Sequence, residues 1–103
     1  MAEAEVFAAL GDETRLRLAR RLRDGPASLI RLTEGAGMSR QAVAKHLRVM
    51  QTAGLAVCER KGRESLWRLR PEALALARGQ LDALSAAWDV RLEALRRHVE
   101  REH

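Results

Sequence analysis

Between residues 39 and 70 this chain of 103 residues carries eight basic side chains (Arg40, Lys45, Arg48, Arg60, Lys61, Arg63, Arg68 and Arg70) and two acidic ones, Glu59 and Glu64. The flanks are nearly balanced, with six bases and six acids in 1–38 and five bases and six acids in 71–103. The net charge of +5 therefore belongs to the middle third. A basic surface between neutral flanks is the electrostatic footprint of a nucleic-acid site, although charge alone leaves a solvated face without a partner equally open. The residue types sharpen the reading. The amide of Gln41 can donate and accept at once, as the N6/N7 edge of adenine requires, and an arginine can bond guanine O6 and N7 together. Ala44 is small enough to let a helix approach and touch a thymine methyl. Ser39, with the first backbone amides of a helix, can hold a phosphate oxygen. Lys45 and Arg48 suit either a base edge or a phosphate. Arg60, Lys61 and Arg63 surround Gly62 in what reads as a tight tip, from which cations can reach a minor groove or its phosphates.

These residues need a helix and a hairpin to present them. Ser39 is a good N-cap for a helix over 40 to about 52, ended by Gly54. At ~100° per residue, Val43, Leu47 and Met50 cluster on one side and Gln41, Lys45 and Arg48 on the other, with Arg40 and Ala44 flanking them. His46 falls on the shoulder of the apolar stripe, where a packed, hydrogen-bonded imidazole is favoured over a base reader. Ahead of this helix, Ser28 caps a shorter one carrying Leu29 and Leu32, and Gly35 and Gly37 supply the turn between the two. Two short helices joined by a Gly-containing turn make a helix-turn-helix. Further upstream, Asp12 caps a helix running to about Asp24 before Gly25-Pro26, with Leu16, Ala19 and Leu22 on its buried stripe and Leu18 beside it. A short opening helix carries Val6, Phe7 and Leu10.

Downstream the period changes. Leu55 to Glu59 and Glu64 to Arg70 read as two strands, a wing, with Trp67 and Leu69 two apart. Pro71 precedes a long last helix, roughly 72–100, whose Leu81, Leu84, Trp88, Leu92, Leu95 and Val99 recur at 3–4 spacing. The fold expected is mainly α with a small β-hairpin: one winged helix-turn-helix domain over 1–103, about five helices and a two-stranded wing. Within it 39–52 is the recognition helix and 55–70 the wing. So short a chain buries a modest core. The helices at 1–10 and 72–100, through Val6, Phe7, Leu10, Leu81, Leu84, Trp88, Leu92 and Leu95, are therefore expected to pack on a second copy. A two-fold homodimer implies a palindromic double-stranded DNA operator.

Other classes are disfavoured. No nucleophile–base pair, metal triad or Gly-rich phosphate loop is visible, so catalysis and cofactors are not expected. A single cysteine, Cys58, cannot form an internal disulfide. No apolar run approaches the ~20 residues of a membrane span. Glu3 and Glu5 stand where a signal peptide would be basic. A cytoplasmic protein is expected. Arg60 and Lys61 could make Cys58 an oxidation-sensitive thiol, against the plainer reading of a small residue packed under the wing. A protein-interaction module or a non-specific architectural DNA binder remains as the alternative function.

The segments "FAALGDETRLRLARRL", "GMSRQAVAKHLRVMQTAGLA", "RKGRESLWRLRPE" and "WDVRLEAL" together resemble the ArsR family of bacterial winged-helix repressors. The resemblance covers nearly the whole chain and is most specific from Ser39 to Leu55. It implies a homodimer joined through its first and last helices, a palindromic operator, and release by a metal ion or another inducer. The metal-sensing members carry a Cys-x-Cys pair ahead of the recognition helix. Here Ser28-Leu29-Ile30-Arg31-Leu32-Thr33 holds no thiol. A second family site on the last helix is also incomplete, with Ser85 and Ala87 upstream and Arg101 three residues after His98. An inducer other than a metal at these sites is expected. A weak zinc site from His98, Glu102 and His103 is less favoured than a solvated tail.

Overall fold

In a computed structural model, residues 3–101 are described. Helix α1 (Glu3–Leu10) leads into α2 (Glu13–Arg23), a two-residue strand β1 (Ala27–Ser28) and the short helix α3 (Leu29–Thr33). Then come α4 (Arg40–Thr52), the strands β2 (Ala56–Lys61) and β3 (Glu64–Leu69), and the long α5 (Pro71–Arg101).

The starts of α2, α3 and α4 have the caps their sequence promises. Asp12 Oδ2 accepts the Arg15 backbone N–H at 3.0 Å, Ser28 Oγ accepts that of Arg31 at 3.2 Å, and Ser39 Oγ accepts that of Ala42 at 3.1 Å. These bonds satisfy amides that have no partner inside the helix. The C-terminal end of α3 is closed by the Glu34 backbone N–H, which donates to the Ile30 and Arg31 carbonyls, and by a side chain from outside the helix. Arg21, from α2, donates to the Leu32 carbonyl at 2.9 Å and the Glu34 carbonyl at 3.2 Å, fixing the start of the turn that leads to α4.

The wing is larger than a hairpin. β1 pairs antiparallel with β3 (Ala27 opposite Trp67, Ser28 opposite Leu66), which gives a three-stranded sheet of order β1-β3-β2. Two residues are too few to carry a periodic signal, so β1 escapes a pattern search. The tip is also tighter than a four-residue turn. Arg60 and Lys61 belong to β2, opposite Ser65 and Glu64, and only Gly62 and Arg63 form the loop. Gly62 takes φ +62° and no non-glycine residue among those described has positive φ. A glycine at positive φ in the first loop position followed by a residue at negative φ is the sign pattern of a type II′ hairpin turn.

One core collects all elements. Leu32, Val43, Leu47, Met50, Leu55 and Val6 are completely buried, with Leu18, Leu22 and Trp67 around them. Two expectations need correction here. Leu18 is buried at 3% exposure and Leu16 stands 37% exposed, because α2 presents the Leu18–Ala19–Leu22 face inward. Val6 is fully buried within a single chain, so it belongs to the domain core and has no surface left for a partner. Phe7 and Leu10 are half-buried against that core.

Helix α5 departs from the rest. Its Ala73 and Ala77 close the core, and from Leu81 onward almost every residue is exposed. At about 1.5 Å per residue its 31 residues reach roughly 46 Å. The radius of gyration is 18.8 Å, against about 13 Å for a compact chain of this length. No helix is long and apolar enough to cross a membrane among the described residues.

Candidate nucleic-acid interface

Helix α4 is amphipathic in the way a groove-reading helix must be. Val43, Leu47 and Met50 are fully buried and lock it to the core. Arg40, Gln41, Lys45 and Arg48 are exposed, and Ala44 is half-buried beside them. The Ser39 hydroxyl uses an oxygen lone pair for its cap, so its proton remains available to a phosphate oxygen at the same helix end.

Ion pairing divides the eight bases of 39–70. Arg68 meets the Glu59 carboxylate through Nε at 2.8 Å and Nη2 at 2.7 Å, and Arg70 lies 3.6 Å from Glu72. The Arg68 bond, then its charge, holds the Glu59 carboxyl below its ordinary range, and Glu59 in turn raises Arg68. The other six, Arg40, Lys45 and Arg48 on α4 and Arg60, Lys61 and Arg63 on the wing, have no ion-pair partner among the described residues. All six are exposed. Among the described residues, the proposed DNA-contacting cations are thus the ones that make no direct ion pair.

His46 occupies the shoulder of α4. Its Nδ1 lies 3.3 Å from Arg15 Nη1 and 3.8 Å from Asp12 Oδ2. Arg15 also donates from Nε to the Ala9 carbonyl at 2.8 Å. One guanidinium therefore ties α1, α2 and α4 together. With Arg15 donating, the neutral imidazole accepts at Nδ1 and carries its proton on Nε2. Sequence reasoning saw Arg15 only as one base among many, because its partners lie 6 and 31 residues away.

The same corner gives a pH prediction. The Arg15 backbone N–H, followed by the Arg15 and His46 charges, outweighs desolvation and holds the Asp12 carboxyl below its ordinary 3.8. The folded state therefore binds fewer protons than the unfolded state in the acid range. This contribution to stability is complete above 3.8 and is lost as pH falls through the lower folded value. Asp12→Asn keeps a capping oxygen without a titrating group. Between about pH 5 and pH 2, urea midpoints of the variant should fall less steeply than those of the parent. Parallel slopes would remove Asp12 from the acid response.

Cys58 lies opposite Trp67 on the β2–β3 ladder and packs, half-buried, against the core, which places it under the wing. Among the described residues no group of three or more His, Cys, Asp or Glu side chains could hold a metal ion. Glu102 and His103, of the tail zinc site, lie outside the described residues.

A helix-turn-helix followed by an antiparallel wing, with unneutralised bases on both, defines a winged helix-turn-helix protein. A helix-turn-helix domain profile matches residues 10–59. The HTH-type transcriptional regulator Rv2034 of Mycobacterium tuberculosis is 41% identical over 75 residues, which span 72% of this chain and 69% of that protein. An ArsR-like transcriptional regulator from Rhodococcus sp. RHA1 superposes with a TM-score of 0.79 at 38% identity, covering 92% of this chain and 90% of that one. The homodimeric winged helix-turn-helix DNA-binding domain Mb0332 of Mycobacterium bovis shares the fold, with a TM-score of 0.66 at 23% identity over 78% of this chain and 76% of its own. The chain belongs to the ArsR family and is a DNA-binding transcriptional regulator.

Proposed function

We propose that the protein is a homodimeric repressor that binds a palindromic operator in the bacterial cytoplasm. The observation that carries this reading is the apolar face of α5. The stripe that begins with buried Ala73 and Ala77 continues, in phase, through Leu81, Leu84, Trp88, Leu92, Leu95 and Val99, each 46–65% exposed. A monomer leaves this stripe in water, and a two-fold copy covers it. Phe7 and Leu10 of α1 add to the seam. The homodimeric state of the Mycobacterium bovis neighbour supports the same reading. Two copies present two α4 helices, hence half-sites separated by about one helical turn or a small multiple of it.

On α4, Gln41, Lys45 and Arg48 read or clamp the major groove, flanked by Arg40 and Ala44, while Ser39 holds a phosphate. On the wing, Arg60, Lys61 and Arg63 engage the minor groove or its backbone. Release does not run through a metal at the usual family positions, because the thiols and the helix ligands those sites need are replaced. Cys58 acts as a packing residue, so Cys58→Ser should leave the peroxide sensitivity of DNA binding unchanged.

The test is a titration into a labelled fragment of the gene's own upstream region, with a scrambled duplex as control and fluorescence anisotropy as readout. The expected result is preference for the upstream fragment, saturating at two chains per site. Equal affinity for both duplexes would make the protein an architectural binder. No binding to either would favour a protein-interaction module.

A further inference from the structure

Helices α1 and α4 flank a shallow, largely open cleft of about 580 Å³. Small-molecule sites occupy clefts of ~300–1,000 Å³ with apolar walls and a few placed polar groups. This one has both. Ala8 and Ala9 of α1 face Val49 and Ala53 of α4 across it. Ala8 is exposed and Val49 is 40% exposed, so an apolar strip is left uncovered between two helices. The polar rim is mostly cationic. Lys45 and Arg48 line the cleft without an ion-pair partner, and Arg15 stands at its base, its guanidinium fixed by the Ala9 carbonyl and His46. Glu5 is the one acid of the lining.

The dimer seam does not cover this cleft. On a helical wheel Phe7 and Leu10 centre about 160° from the Glu5–Ala8 side of α1. A partner seated on Phe7 and Leu10 therefore leaves the cleft open. A DNA phosphate could pair with Lys45 and Arg48, but it has no carbon body with which to cover Ala8 and Val49. An anionic group attached to a short apolar body satisfies both halves of the cleft.

We infer that the α1–α4 cleft binds a small organic anion, a carboxylate on an aliphatic body, and that this ligand competes with DNA for Lys45 and Arg48. The competition rests on the proposed DNA face. The anion site itself rests only on the cleft. Occupancy draws both cations toward α1 and places negative charge beside the groove-reading face, so ligand and operator exclude each other.

Octanoate is the probe, with octanamide as its neutral counterpart and acetate as the anion without a body. Two readouts are needed: calorimetry on the DNA-free protein and anisotropy on the protein–DNA complex. Octanoate should bind the free protein, whereas octanamide and acetate should not. At ten times its own Kd, octanoate should raise the apparent DNA Kd about ten-fold for each subunit engaged. Ala8→Trp fills the cleft from an exposed position that is not itself a proposed DNA contact, and adds no charge beside Lys45 and Arg48. It should keep operator affinity and lose the octanoate response. Glu5→Gln removes the opposing carboxylate and should tighten octanoate by about two- to five-fold, a gain that misfolding does not produce. Absence of octanoate heat, or undiminished octanoate binding by Ala8→Trp, would overturn the site. Binding without displacement of DNA would overturn the competition. Octanoate binding that behaves as expected in a protein that ignores its operator would refute the DNA reading and leave the anion site standing.

Discussion

Trp88→Ala should turn the proposed dimer into a monomer at micromolar concentration and take most of the operator affinity with it. Trp88 is 59% exposed in the single chain, midway along the α5 stripe. Burying a large apolar side chain contributes about 1.5–3 kcal/mol, and a two-fold interface counts each residue twice. Removing both copies thus costs the dimer about 3–6 kcal/mol, a rise of roughly 10²–10⁴ in its dissociation constant. The fold should survive, since alanine is the best helix former and the position makes no contact with the core. Circular dichroism should therefore be unchanged while sedimentation equilibrium reports a shifted monomer–dimer balance. DNA binding should fall for a separate reason. A monomer holds one half-site without the high effective concentration that tethers the second. An unaltered dimer in Trp88→Ala would remove α5 from the interface.

The second large effect concerns Arg48 and Lys45. A base contact contributes about 1–3 kcal/mol of discrimination. A dimer makes each contact twice, so Arg48→Ala is expected to weaken operator binding by roughly 30- to 10⁴-fold. The pattern across sequences separates the two roles left open for these side chains. Loss of a base reader relaxes preference at one operator position. Loss of a phosphate clamp weakens all duplexes alike and lowers the salt slope by about one per contact. If the proposed dimer of the parent protein covers about six to ten phosphates, its affinity should fall by about 10³–10⁵ between 50 and 200 mM salt. Anisotropy titrations of Arg48→Ala and Lys45→Ala on operator and scrambled DNA at two salt concentrations decide both points. Wild-type affinity and slope in both variants would show that the exposed side of α4 does not touch DNA.

The three N-caps were legible in the sequence because a cap is a local event. Asp12, Ser28 and Ser39 each reach an amide three residues on. The faces of α4 were legible for a similar reason, since helical periodicity alone separates Val43, Leu47 and Met50 from Gln41, Lys45 and Arg48. Boundaries and small additions were not. β1 is a strand only because β3 offers it a partner, and Arg60 and Lys61 join β2 only because Ser65 and Glu64 lie opposite. Arg68 read as one more base until the ladder set it against Glu59.

The sequence by itself determined the helix-turn-helix, the wing, the placement of positive charge in the middle third and the apolar phase of α5. Each depends on residue type and spacing along one element. Which apolar residues face the chain's own core was decided only by tertiary structure. Val6 and Leu81 look alike in a periodic pattern, yet one is fully buried in the domain and the other is 55% exposed on a projecting helix. The Arg15 bridge between α1, α2 and α4 and the cleft beside Lys45 and Arg48 likewise exist only in three dimensions. Both are made by side chains from different helices, and how those helices pack is set by the fit of the whole core, which no single element encodes.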